Sequence, residues 1–290
     1  MAINLGVRKD SEVNETININ STENLITLAD GRVYLKGGVT ETDVATYPDA
    51  TAIVAYTGTT FSIGTQDTAP KGIVWDGTYF WVLGATTQKV YKYNSSGVYQ
   101  NVYFSTGSQD TATQDITWDG THFWVLGDNT NAVYKYNASG VYQNVSWSVG
   151  SQENTPAGIV WDGTNFYVVG WTNDTVYKYN SSGVYTGNSY ATSGEIYPSA
   201  IAWDGTHFWI VGFQDDLLRQ YTASWVYTGV SVSVASQEIN PHGAVWDGLA
   251  FWVVGATSDA AYKYASQIGV NTNGSASQIA EGLQNYVRIK

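Results

Sequence analysis

Apolar and polar positions alternate with a period of two over short stretches, and the alternation itself recurs about every 43 residues. Residues 98–106 (VYQNVYFST) alternate and are rich in β-branched and aromatic side chains, which predicts a strand; residues 107–113 are a polar loop. Two apolar runs follow, 115–118 (DITW) and 123–126 (FWVL), separated by Asp119-Gly120. An Asp-Gly pair between such runs predicts a tight hairpin, because both turn residues tolerate positive φ. A second loop, 127–131, leads to a third run at 133–136 (VYKY), and Asn137-Ala138-Ser139-Gly140 turns the chain into the next unit. Each unit therefore holds four strands, two tight turns and two longer loops.

Five such units carry a Trp-Asp-Gly triplet, at Trp75, Trp118, Trp161, Trp203 and Trp246, with intervals of 43, 43, 42 and 43 residues. A segment of that length cannot bury a core alone, so neighbours must supply the missing apolar contacts, as blades do in a β-propeller. The phase of the repeat predicts how the ring closes. Residues 56–63 (YTGTTFSI) match 99–106 and precede the first triplet, whereas the last repeat ends after 261–264 without a fourth strand. One surplus strand in front and one vacancy behind complete a fifth blade and remove two sheet edges. The expected fold is all-β: a five-bladed propeller over residues 55–266, plus a small β anchoring module built from 1–54 and 267–290. A sixth blade made from the two ends is the alternative, since residues 28–35 (LADGRVYL) echo the Trp-Asp-Gly hairpin.

Composition adds few constraints. Cysteine is absent, so packing and strand pairing hold the molecule together and assembly needs no oxidative step. The formal net charge is −12 and no segment is basic enough to neutralise phosphates, which argues against nucleic acid. Arg8, Lys9 and Asp10 have no apolar stretch behind them and no run approaches a membrane span, so neither a Sec-type signal nor membrane insertion is expected. Tyr, Trp, Thr, Asn, Ser and Gly are prominent while Lys and Glu are scarce, a balance closer to extracellular adhesive β-proteins than to cytosolic enzymes.

Residues that recur in every unit read as structure. Nine of the twelve tryptophans occupy two repeat positions: the five above, and Trp81, Trp124, Trp209 and Trp252, with Tyr167 in the third unit. Inter-blade packing accounts for them. The turn aspartates Asp76, Asp119, Asp162, Asp204 and Asp247 belong to the same class, and the Asn-X-Ser sequences at Asn94, Asn137 and Asn180 are turn chemistry.

Residues that break the symmetry are the candidates for function, above all on the face where both longer loops emerge. An acid occurs at one equivalent loop site in each unit, Asp67, Asp110, Glu153, Glu195 and Glu238. Such a ring would attract a cation or sugar hydroxyls, or else each acid accepts bonds from its own loop backbone. Just before the inner strand stand Lys71, Gln114, Ala157, Ser199 and His242, and one step later Asp115 replaces a Gly or Ala. In the second loop Trp171 and Phe213 stand where the sibling units have Ala85, Asp128 and Ala256. Aromatic rings beside carboxylates and amides suit a saccharide. In the fourth unit Arg219 and Trp225 depart on the opposite face, and Trp225, in place of a turn glycine, is expected to be exposed and available to a partner.

Catalysis is not expected from these residues. The inner strands contain one acid, Asp115, where a glycosidase needs a carboxylate pair. Of three histidines, His122 and His207 fall beside the Asp-Gly turns, and only His242 with Asp115 forms a mixed pair near the channel mouth. No metal or cofactor is expected.

The residues Gly158-Ile159-Val160-Trp161-Asp162-Gly163, Phe166-Tyr167-Val168-Val169-Gly170 and Val176-Tyr177-Lys178-Tyr179-Asn180 resemble an NHL-type propeller repeat, in all five units. That resemblance implies architecture and is silent on activity. Residues 28–39 (LADGRVYLKGGV), Tyr47-Pro48-Asp49-Ala50 and Asn285-Tyr286-Val287-Arg288-Ile289-Lys290 are similar to segments of tail-fibre and other virion proteins of tailed bacteriophages. This second resemblance implies a protein made in the host cytoplasm and carried on the virion, homo-oligomeric within the particle, bound to other virion proteins through its terminal module and touching host-surface glycan through the propeller loops. The expectation is thus a non-enzymatic adhesin; a structural virion scaffold is one alternative, a propeller glycosidase or lactonase the other.

Overall fold

The Trp-Asp-Gly segments each fold as the hairpin between the two innermost strands of a blade. In the second blade the Asp119 N–H donates to His122 O at 3.1 Å and Trp118 pairs with Phe123, so the central residues of the turn are Gly120 and Thr121. Only Gly120 has positive φ, +93°, the pattern of a type II′ turn with glycine first. The expected Asp-Gly turn is therefore displaced by one residue, for a reason visible in the aspartate. Asp119 Oδ1 accepts the N–H groups of Thr121 (2.8 Å) and His122 (2.7 Å), while Oδ2 accepts the indole N–H of Trp124 at 2.7 Å. One carboxylate caps the turn and pins the tryptophan. The same indole bond recurs at 2.7 Å in Trp81–Asp76, Trp209–Asp204 and Trp252–Asp247.

The structure, a computed structural model, describes residues 18–20, 25–27, 33–35, 51–192 and 197–269. Tyr56–Tyr264 forms one compact unit that holds five four-stranded antiparallel sheets. Blade one consists, from axis to rim, of Pro70–Trp75, Tyr79–Gly84, Lys89–Asn94 and Tyr99–Ser105. The last blade consists of Pro241–Trp246, Phe251–Gly255, Ala260–Gly269 and, as its rim strand, Thr51–Ser62. Five blades closed by an N-terminal strand is the expected architecture. At the junction the Ile63 N–H donates to Asp259 O at 2.7 Å, matching Thr106 N–H to Gln88 O (2.9 Å) in blade one.

Aromatic side chains of the second strands link each blade to the next. Ring centroids are 4.9 Å apart for Trp81–Phe123, 5.0 Å for Trp124–Phe166, 4.6 Å for Tyr167–Phe208, 4.6 Å for Trp209–Phe251 and 5.0 Å for Trp252–Phe80. The last pair returns to blade one, so the core is a closed circle of tilted rings between sheets. The Trp of each triplet lies on the Phe of its own hairpin, as in Trp75–Phe80 at 4.6 Å.

Trp225 is corrected from an exposed docking ring to a core residue. In blades one to three the corresponding turn residue is Gly97, Gly140 or Gly183, at φ +75° to +76°. A Cβ there would fall 2.1–2.3 Å from Phe61, Phe104 or Trp147, the rim-strand aromatic of the preceding blade. In blade four the ring comes from the turn itself. Trp225 accepts φ +66°, is buried, and stacks at 14° on Phe208 (4.3 Å) and on Tyr190 (5.1 Å). Arg219 likewise has an intrachain partner, its guanidinium lying 2.5 Å from Asp215 Oδ2.

By itself, the described part of the N-terminal region is a three-stranded antiparallel sheet of Asn18–Asn20, Leu25–Thr27 and Val33–Leu35. The other segments on which the terminal module and its virion attachment were expected lie outside the described residues. Among the described residues no helix is long and apolar enough to cross a membrane.

Candidate active site

The inner strands begin at the loop face, and their second residues are the positions that differ from blade to blade. Ring closure sets blade five beside blade one, which brings together Lys71 and His242. Lys71 Nζ lies 3.3 Å from His242 Nδ1 and 3.1 Å from Nε2. Near-equal distances place the amine across the ring rather than in line with one lone pair. Burial and the adjacent Lys71 charge lower the His242 pKa to about 3, so the imidazole is neutral at ordinary pH. Burial also lowers the Lys71 pKa, against a smaller opposing pull from the Asp128 carboxylate. An amine whose charged form is penalised is a stronger candidate base than a surface lysine.

Asp128 and Gln114 complete the polar side. Gln114 Nε2 donates to Asp128 Oδ2 at 3.4 Å. Burial raises the Asp128 pKa, with the Gln114 bond and the Lys71 charge pulling the other way. Beyond His242 the surface turns aromatic: Phe213 and His242 have centroids 5.1 Å apart, and Trp171 and Phe213 are 5.7 Å apart at 40°. Trp171 and Phe213 therefore do form one wall, continuous with the histidine. The Trp171 indole N–H is buried with no partner, unlike the four indoles pinned to turn aspartates.

Asp115 belongs to the floor rather than the mouth. It is buried, Oδ1 accepts the N–H of Ile116 and Oδ2 that of Ile159 in blade three, both at 2.8 Å. Its neighbour on the adjacent inner strand of blade one is Gly72, where a Cβ would meet Asp115 Oδ1 at 2.6 Å. Desolvation raises its pKa well above the usual range, opposed by these two bonds. The expected Asp115–His242 pair is replaced by Lys71–His242, because Asp115 points between inner strands. Ser199 is also committed, donating to Pro241 O at 2.7 Å and to Val211 O at 3.2 Å.

Of the two readings of the acidic ring, bonds within each acid's own loops are what the structure shows. Asp67, Asp110, Glu153 and Glu238 are buried, and each clamps the two loops of its own blade. Asp67 accepts Ala69 N–H (2.8 Å), Thr87 N–H (2.7 Å) and Thr87 O–H (2.6 Å); Asp110 repeats this with Ala112 and Thr130. Glu153 takes the N–H of Thr155, and Glu238 those of Thr257 and Ser258 together with the Ser258 hydroxyl. A carboxylate so engaged is satisfied locally and would lose those bonds by turning to a channel ligand. Glu195 lies outside the described residues. His122 and His207 sit at the hairpin face, 3.7 Å from Asp119 and Asp204 respectively.

Sequence reasoning grouped Lys71, Gln114, Asp115, His242, Trp171 and Phe213 on the loop face as a saccharide site, and treated Asp128 only as a sibling of the aromatic residues. The signal that joins Lys71 to His242 is closure of the ring, which makes first and last blades neighbours.

No family model matches the chain, and no curated protein matches it. Solved structures do. Glutaminyl cyclase from Myxococcus xanthus aligns with a TM-score of 0.55 at 8% identity, over 74% of this chain and 97% of that one. Virginiamycin B lyase from Staphylococcus aureus aligns with a TM-score of 0.45 at 16% identity, over 88% and 92% of the two chains. Regucalcin from Agrobacterium tumefaciens, a calcium-binding protein, gives 0.47 at 11% identity, over 83% and 90%. At such identities the likeness shows the fold, a β-propeller. The expectation of a non-enzymatic adhesin finds no support among them: the glutaminyl cyclase and the lyase are enzymes.

Proposed function

We propose that this protein is a β-propeller enzyme that cleaves a bond in a small substrate by acid–base chemistry at the loop face. The observation that carries the reading is the Lys71–His242 pair, 3.1 Å apart at the start of two inner strands, with both groups biased toward their neutral forms by burial. Lys71 is the base. Its amine takes a proton from an attacking water, or from a carbon beside a carbonyl, and the ammonium so formed returns the proton to the leaving group as the scissile bond breaks. His242, too weakly basic to compete for that proton, packs beside the amine and presents its neutral, electron-rich ring to the ammonium when it forms. Gln114 and Asp128 bound the polar side and steady the Lys71 charge when it forms.

The test has two parts. Competitive acetylation between about pH 6 and 11 should give Lys71 a labelling midpoint below the ordinary lysine range. In a panel of neutral esters, lactones and carbonyl compounds with a β leaving group, turnover by the native protein should disappear in Lys71→Met. A Lys71 midpoint in the ordinary lysine range, or full turnover by Lys71→Met, overturns the reading.

A further inference from the structure

The fivefold fold turns differences between blades into a map of the site. Two positions per blade face the mouth. At the first stand Lys71, Gln114, Ala157, Ser199 and His242; at the second, Ala85, Asp128, Trp171, Phe213 and Ala256. Blades one and two place an amine, an amide and a carboxylate on one side of the axis, while blades three and four place two aromatic rings on the other. His242 touches both sets, 3.1 Å from Lys71 and 5.1 Å from the Phe213 ring.

The small residues sharpen this division. Beneath the aromatic wall the first positions are Ala157 and Ser199, both buried, and the Ser199 hydroxyl is consumed by Pro241 O and Val211 O. A ligand lying against Trp171 and Phe213 therefore finds carbon beneath it and no polar side chain to satisfy. On the other side stand one basic and one acidic group, Lys71 and Asp128, each biased by burial toward its neutral form, with Asp115 sequestered in the floor. Such a site rewards a molecule that is apolar at one end, hydrogen-bonding at the other and without net charge.

From this division of the mouth we infer that the substrate is an uncharged amphipathic ring compound, its apolar ring on the Trp171–Phe213 wall and its carbonyl or hydroxyl group at Lys71, Gln114 and Asp128. The inference rests on the catalytic reading above for which end reacts, but the wall itself is independent of it. The buried Trp171 N–H has no acceptor among the described residues, whereas those of Trp81, Trp124, Trp209 and Trp252 are each held at 2.7 Å.

Ligand-observed NMR and calorimetry with coumarin, a neutral aromatic lactone, test the idea, with glucose, benzoate and benzylamine as polar, anionic and cationic controls. Coumarin should bind more tightly than all three. Trp171→Ala and Phe213→Ala should each weaken it roughly 5- to 30-fold, Trp171→Phe should recover most of the loss, and the melting temperature of Trp171→Ala should stay near the native value. Native affinity in both alanine variants, or glucose or either ion binding as well as coumarin, overturns the inference. Lys71→Met separates the two claims: turnover of the ester, lactone and carbonyl panel gone in that variant, with coumarin weakened in Trp171→Ala and Phe213→Ala, supports both, and turnover intact with the same losses in the two alanine variants removes the catalytic role while the ligand wall stands.

Discussion

Lys71 Nζ stands 3.1 Å from His242 Nε2, although the two residues are 171 positions apart and belong to the first and last blades of the ring. Their approach depends on a tight backbone junction: a Cβ on Gly243 would come within 2.5 Å of Lys71 O. The pair therefore exists only while the ring is closed.

A pH effect follows from His242. Its folded pKa, about 3, lies below the ordinary 6.5, so between those values the unfolded chain binds a proton that the native protein refuses. Stability should rise with pH through that window, the histidine contributing at most about 1.4 kcal/mol per pH unit, and its contribution should be complete above about pH 6.5. Urea melts of the native protein and of His242→Gln across the window measure it as the difference in slope; equal slopes would place the histidine in a different protonation state.

Trp225 should act as core. Trp225→Gly restores the turn residue used in three other blades and relieves the left-handed backbone, but it leaves Phe208 and Tyr190 facing a void. The cavity effect dominates, with an expected loss of about 3 to 5 kcal/mol in denaturant melts. A neutral or stabilising result would return Trp225 to the surface.

The turn aspartates can be separated from the tryptophans they hold. Asp119→Ala leaves the N–H groups of Thr121 and His122 and the Trp124 indole without an acceptor, at a cost of about 2 to 4 kcal/mol. Trp124→Phe removes only one of those three bonds and some volume, so it should cost less, about 1 to 2 kcal/mol. Thermal melts of the two variants give the ranking, and a reversed order would mean that the ring's volume outweighs the carboxylate.

The loop acids should matter for stability and not for ligand affinity. Asp67→Ala unties Ala69 and Thr87 and should lower stability by about 1 to 3 kcal/mol. Coumarin affinity in the same variant should remain within about twofold, because the carboxylate faces its own loops. A large affinity loss at native stability would put Asp67 back at the channel mouth.

The amino-acid sequence by itself determined the propeller, its five blades and the strand that closes it, because strand alternation, turn residues and a repeat near 43 residues are local or periodic signals. It also marked Lys71, His242, Trp171 and Phe213 as departures from symmetry. Tertiary structure alone decided their meaning. Whether a loop acid turns inward to its own backbone, as Asp67 does, or outward to the channel depends on donors 19 or 20 residues away. Trp225 reads as exposed from its turn position, and only its stacking on Phe208 and on Tyr190 of the adjacent blade makes it core. Asp115 reads as a mouth residue until the N–H of Ile159, 44 residues on, claims its second oxygen. In each case the deciding partner lies in another loop or another blade, at a distance in sequence that no local pattern encodes.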